Sequence, residues 1–184
     1  MSKKKILLLS DDLRMHSGIA TMSRELVLGT IHHYDWVQIA GAIKHPEANK
    51  VVDLSQATRD MTKVPDAYVK LYPVDGYGSD QMLFAVMQAE KPDAIIHFTD
   101  PRYWIWLYQL EHEIKTTFGT PITYYSIWDD LPYPMWNAPY YGSCDMIMGI
   151  SKQSDNIHKQ VLTQNGFKVV DYDASDSAPA DLKW

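Results

Sequence analysis

Ile6 to Leu9 is an unbroken apolar run with lysines before it and Ser10, Asp11 and Asp12 after it, the pattern of a strand buried on both faces of a parallel sheet. The period then changes. Ile19, Met22 and Leu26 recur at helical spacing behind Ser17 and Gly18, either of which can cap a helix running through Leu28. Apolar spacing further predicts a strand from Trp36 to Ile43, weaker strands near Lys50 to Leu54 and Tyr68 to Tyr72, and a helix from Asp80 to Glu90 with Leu83, Val86 and Met87 on one face. The Pro92-Asp93 step punctuates the chain before a buried strand from Ala94 to Phe98. Beyond it come a helix from Tyr103 to Thr117, a strand from Ile122 to Ile127, a Pro-rich loop, a strand from Asp145 to Ile150 and a helix from Lys152 to Leu162.

Strands alternating with helices imply a parallel sheet joined by right-handed crossovers. The expected fold class is α/β: a Rossmann-like three-layer domain, mostly parallel in its sheet, with helices on both faces, over residues 1–165. Residues 166–184, which end in the polar stretch "DYDASDSAPADLKW", read as a tail or linker. At 184 residues the chain is long enough for one domain with a substantial core.

The formal charge of -6 speaks against a broad nucleic-acid surface, which needs clustered Lys and Arg. No apolar stretch approaches the roughly 20 residues of a membrane span. Cys144 is the single cysteine, so no internal disulfide forms, and the opening apolar run is too short for a secretory signal; the expected location is cytoplasmic. Six Trp and twelve Tyr against four Phe suit either a ligand that is part apolar and part hydroxylated or a Tyr-rich core and rim.

Ligands of open parallel sheets bind beyond the carboxyl ends of the strands, which selects the candidate residues. They are Asp11, Asp12, Arg14, His16, Ser17 and Gly18 after the first strand; Thr99, Asp100 and Arg102 after Phe98; Trp128, Asp129, Asp130 and Tyr133 after Ile127; and Ser151 and Lys152 after Ile150. Gly18 and its neighbours offer free backbone N–H groups at a helix start, an anion site or simply a cap. Adjacent aspartates on an extended chain point opposite ways, so one of Asp11 and Asp12, and one of Asp129 and Asp130, faces a given ligand. His97, inside an apolar run, is either a satisfied core histidine or a ligand. Trp128, Tyr133, Trp136, Tyr140 and Tyr141 form either a stacking platform for a sugar or base, or a rigid lid. The dinucleotide fingerprint, the Walker motif, paired-cysteine and H-E-x-x-H metal motifs and the G-x-S-x-G elbow do not occur.

The segments "KKILLLSDDLRMHSGIATMSREL", "KPDAIIHFTDP" and "PITYYSIWDDLPYP...YYGSCDMIMGISKQSDNIHKQVL" resemble the N-terminal, acceptor-side half of GT-B glycosyltransferases, most of all family 4, over roughly residues 4 to 162. The resemblance implies that Gly18, Asp100, Asp129, Ser151 and Lys152 border an inter-domain cleft. It casts Asp100 and Asp129 as catalytic, and His16, Ser17, Gly18, Arg102, Trp128, Asp130, Tyr133, Ser151 and Lys152 as substrate-binding. It implies a nucleotide-sugar as co-substrate, with no other cofactor and no metal, an acceptor of unknown identity, and a C-terminal donor-binding domain beyond these residues. Where many relatives carry histidine before the aspartate, this chain has Trp128 before Asp129. Two other readings stand beside it. One is a flavodoxin-like switch, marked by an aspartate at the tip of its third strand; the other is a binding module that uses the aromatic loop.

Overall fold

The first strand, β1 (Lys4–Asp11), lies at the centre of a seven-stranded sheet, which is why both of its faces are apolar. The computed structural model describes residues 2–42 and 44–171. After β1 come α1 (Gly18–Thr30), β2 (Tyr34–Ala42), β3 (Val52–Asp53), α2 (Ser55–Thr62), β4 (Val69–Asp75), α3 (Asp80–Glu90) and β5 (Ala94–Phe98). A 3-10 turn (Pro101–Trp104) leads into α4 (Ile105–Gln109) and α5 (Glu111–Glu113), and a π turn (Ile114–Phe118) precedes β6 (Ile122–Ser126). A second 3-10 turn (Met135–Asn137), α6 (Ala138–Gly142), β7 (Met146–Gly149) and α7 (Lys152–Gln164) complete the order.

The sheet runs β3-β4-β2-β1-β5-β6-β7. Every pairing is parallel except that of the two-residue β3 with β4. Counting parallel strands alone, the order is third, second, first, fourth, fifth, sixth, the doubly wound Rossmann-like arrangement, and it reverses between β1 and β5. A flavodoxin-like sheet instead sets its third strand beside the first; here β4 is separated from β1 by β2.

Register divides the side chains between two faces. Leu7, Leu9, Val37, Ile39, Ile95 and Ile122 lie on one, covered by Leu83, Val86 and Met87 of α3 and by Trp104, Leu107 and Ile114. Towards the β7 edge that face continues as Tyr124 and Ile147 under α6 and α7, through Ala138, Tyr141, Ile157 and Val161. Ile6, Leu8, Trp36, Ala40, Val69 and Leu71 lie on the other, under Val27 of α1, Ile31 just past its end and the residues flanking α2. Helices on this second face cover β1, β2 and β4. Among the described residues, no helix lies over Tyr125 and Met148 there apart from the flank of α1.

Carboxylates fasten the amino edge. Asp93 accepts the Lys5 backbone N–H (2.8 Å), and Asp145 accepts that of Ile122 (2.8 Å), so each aspartate before a strand ties down the neighbouring strand. At the end of α3 the buried Glu90 accepts from Lys5 Nζ (2.8 Å), Tyr68 Oη (2.8 Å), Tyr72 Oη (2.7 Å) and Lys70 Nζ (3.4 Å). Burial alone would raise its pKa, but the Lys5, Tyr72 and Tyr68 hydrogen bonds prevail and hold it at about 2.

Several elements differ from the expected bounds. Strands β1 and β4 are longer, and the expected strand at Lys50 to Leu54 shrinks to Val52–Asp53. The single helix from Tyr103 to Thr117 is broken at Leu110, whose N–H turns back to the Leu107 carbonyl. The tail expected for residues 166–184 lies, from 172 onward, outside the described residues. Among those described, no helix is long and apolar enough to cross a membrane.

Candidate functional site

The strand order reverses between β1 and β5, and at the carboxyl edge such a reversal is where open α/β sheets hold ligands in a crevice; the turn from β1 into α1 is built there by its two aspartates. As strand alternation requires, they diverge. Asp11 accepts from Ser17 Oγ (3.0 Å), and the same hydroxyl accepts from the Ala20 N–H (3.0 Å), capping α1. Gly18 and Ile19 therefore begin the helix with backbone donors that have no intrahelical partner.

Asp12 points the other way and is almost inaccessible. It takes Arg14 bidentately (3.0 and 2.7 Å) and His45 Nε2 (2.8 Å). His45 Nδ1 accepts the Glu47 N–H (3.1 Å), so the proton sits on Nε2 and is donated to Asp12. Arg14 also meets Glu47 (2.7 Å). Burial alone would raise the Asp12 carboxyl, but its Arg14 and His45 hydrogen bonds hold it below the usual range. Beneath the turn, Gln38 donates to Ser10 Oγ (2.7 Å) and the Asp11 carbonyl (2.8 Å), and accepts the Leu13 N–H (3.1 Å). Asp12 and Gln38 thus fix the turn from below and leave Asp11, Ser17 and Gly18 as its outer face.

The loop after β4 supplies the opposite wall. Gly76 and Gly78 adopt φ of 65° and 83°, which glycine alone accepts readily. They swing Tyr77 across the end of β2, where a Cβ on Gly41 would lie 2.8 Å from the Gly76 carbonyl and 3.1 Å from the Tyr77 ring. Tyr77 stacks on the exposed Tyr103 (5.3 Å, 16°) and leans on the buried Trp104 (5.5 Å). Burial, together with the charges on Asp11 and Asp100, keeps the Tyr77 hydroxyl protonated.

After β5, Asp100 accepts the Arg102 backbone N–H (2.9 Å) and its guanidinium (3.0 Å). Burial raises the carboxyl, but these Arg102 bonds outweigh it and hold Asp100 ionised below the usual range. His97, one turn deeper, is wholly enclosed between Tyr108 Oη (2.6 Å) and Thr99 Oγ1 (2.9 Å) and stacks on Tyr124. Burial drives its pKa down to about 3; it is a neutral core histidine.

The outer part of the edge follows β6 and β7. Trp128 folds back so that its indole donates to the Asp130 carbonyl (2.9 Å) and its ring meets Trp136 edge-on (5.9 Å). Trp128 and Tyr133 pack towards α7, and Tyr141 is buried; Trp136 is 53% exposed beside exposed Leu131 and Met135. The aromatic loop is thus partly lid and partly open surface. Gln153 of α7 donates to the Asp129 carbonyl, leaving that exposed carboxylate outward. Ser151 caps α7 (3.1 Å to the Ser154 N–H), and Lys152 is exposed beside it.

All the residues expected to bind or react therefore lie on one sheet edge, in two groups. Asp11, His16, Ser17 and Gly18 end or follow β1, and Asp100 and Arg102 follow β5, on the two sides of the reversal; Trp128, Asp129, Asp130 and Tyr133 follow β6, and Ser151 and Lys152 follow β7. Tyr77, Tyr103, Gln38 and His45 escaped the sequence reading; for Tyr77 the Gly-Tyr-Gly step was a usable signal. Burial pushes the Cys144 thiol well up, away from a reactive thiolate. Among the described residues, no three His, Cys, Asp or Glu side chains gather as a metal site. No family model matches the chain, and no curated protein matches it in sequence.

Proposed function

We propose that this domain is the acceptor-side lobe of a sugar-transferring enzyme, with a nucleotide-sugar as co-substrate and most donor contacts supplied by a second lobe. The observation that carries this reading is the group of side chains around Tyr77 where the strand order reverses. Asp11, which accepts from Ser17 Oγ, and Asp100, held ionised by Arg102, flank the protonated Tyr77 hydroxyl beside the start of α1. Carboxylates accept hydrogen bonds from sugar hydroxyls, and tyrosine rings cover the apolar faces of a pyranose. The family 4 resemblance agrees, because its "KPDAIIHFTDP" and "GISKQS" segments fall at β5 and at the β7–α7 step of the same edge.

In this reading Asp100 positions an acceptor hydroxyl. Its Arg102 pairing makes it a weak base, and proton removal falls to the exposed Asp129 once the cleft closes. His16, Ser17 and Gly18 meet donor phosphate or acceptor, and Lys152 adds a positive charge at the far wall. The switch reading loses ground because β4 does not adjoin β1. Its terminal Asp75 accepts the His45 N–H instead. The protein-binding reading keeps one specific support, the exposed cluster of Leu131, Met135 and Trp136.

Calorimetric titration with UDP-glucose, GDP-mannose and simple glycosides tests the proposal. Saturable binding of at least one glycoside, weakened about tenfold by Asp100→Asn and by Tyr103→Ala, is the expected result. Absence of saturable binding to every sugar in the unaltered chain refutes it.

A further inference from the structure

Beyond the crevice, α1 forms one wall of a groove. Next to its start lies an open depression of about 500 Å³ lined by His16, Ser17, Gly18, Thr21, Met22 and Glu25. Next to its end lies a second, of about 410 Å³, walled by Leu26, Gly29 and Thr30 and floored by Ile96, Tyr125 and Met148. Met22 and Glu25 line both, so the two adjoin as one shallow, open channel along a helix about 20 Å long. Its chemistry changes from end to end. The crevice end offers the Ser17 hydroxyl, the Asp11 carboxylate behind it and open backbone donors, whereas the floor at the far end is apolar.

Strands of a parallel sheet are normally covered on both faces, yet Tyr125 and Met148 are only half-buried here. Gly29 widens the wall. Nothing lies within 4 Å of the position its Cβ would take in the last turn of α1. The lining contains no lysine or arginine, so the channel lacks the basic groups that hold a protein to an anionic membrane surface.

We infer that this channel takes the apolar chain of a single amphipathic molecule whose hydroxylated head occupies the crevice. The inference rests on the function proposed above and narrows it: the acceptor is an alkyl- or acyl-linked glycoside type of amphiphile, bound as a monomer. The chain lies along Met22, Leu26 and Gly29 over Ile96, Tyr125 and Met148. The head reaches Asp11, Ser17 and Asp100.

The test compares maltose, dodecyl maltoside below its micellar concentration, dodecyl phosphocholine below its own, and phosphatidylcholine vesicles, by calorimetry on the full 184-residue chain. Dodecyl maltoside is expected to bind at least tenfold more tightly than maltose. Gly29→Phe, which fills the channel from a helical position, and Met148→Glu, which charges its floor, are each expected to remove that advantage while leaving maltose affinity and the circular dichroism spectrum unchanged. If maltose binds but the dodecyl chain adds nothing, or if both folded variants keep the advantage, the inference falls while the sugar-binding reading stands. If both dodecyl compounds bind equally, maltose does not, and the variants abolish binding, the channel stands and the sugar reading falls. Binding to vesicles alone overturns the channel in favour of a membrane-facing surface.

Discussion

Replacing Glu90 by glutamine keeps the shape of a buried side chain and removes its charge from among two lysines and two tyrosines. The carboxyl moves from its ordinary 4.5 to about 2 on folding, a difference of roughly 2.5 pH units, or about 3 kcal/mol at neutral pH. Because the folded pKa is the lower one, this stabilisation is complete above pH 4.5 and is lost as pH falls from 4.5 towards 2. Glu90→Gln should therefore lower stability at pH 7 by about 3 kcal/mol, which in a chain of this size is a fall in Tm of roughly 6 to 12 °C. Urea denaturation of both proteins from pH 7 to pH 2.5 measures the difference directly. The gap should narrow through the acid window, since protonation removes the same charge from the unaltered protein. A gap that stays constant across that range, or is under 1 kcal/mol at pH 7, would refute the assignment of this stability to the Glu90 charge. Sugar binding at the opposite edge should not change.

Gly41→Ala drives a Cβ into the Gly76 carbonyl at 2.8 Å and should cost about 1 to 3 kcal/mol. It should also displace Tyr77, weakening glycoside binding more than Glu90→Gln does when both are titrated. Asp12→Asn breaks the bidentate Arg14 pair and should cost about 2 kcal/mol, read as faster amide exchange at Arg14 and Glu47 than in the unaltered chain. His158 is buried with both ring nitrogens unpartnered, and burial lowers its pKa to about 4; His158→Leu should stabilise the fold by about 1 to 2 kcal/mol at pH 7. The unfolded chain binds more protons between pH 6.5 and 4, so stability rises with pH across that window and is lost as the solution is acidified from 6.5 to 4. The leucine variant should fall less steeply, His97 retaining its own share, and equal slopes in the two proteins would contradict this.

The strands and helices that pack by one clear stripe were legible in the sequence. Helix α3 and strand β5 have the expected bounds because Leu83, Val86 and Met87 repeat at helical spacing and Pro92-Asp93 punctuates between them. Helix α2 was not legible, because its buried side chains are Ser55 and Thr58 rather than an apolar stripe. Strand β4 runs past the expected end at Tyr72, through Pro73 to Asp75. The proline is tolerated because β3 pairs only with Lys70 and Leu71, leaving the outer edge of Pro73 without a strand partner. For the site, the sheet-edge rule located each strand-end loop, but it could not place side chains from elements that cross in space. His45 reaches Asp12 from 33 residues away, and Tyr77 reaches the crevice because Gly41 leaves room for it.

The reversal of strand order has a further consequence, for the course of folding. Bonds between β1 and the middle of β2 join residues such as Ser10 and Gln38, 28 apart, whereas the tie between Lys5 and Asp93 spans 88. Closing the longer loop costs about 1 kcal/mol more in chain entropy, so β1, α1 and β2 are expected to associate before β5 joins them. The crevice belongs to neither half and comes into being only at that last docking. Refolding should therefore restore helical signal ahead of ligand binding, making capture of a sugar a report on the completed sheet rather than on its parts.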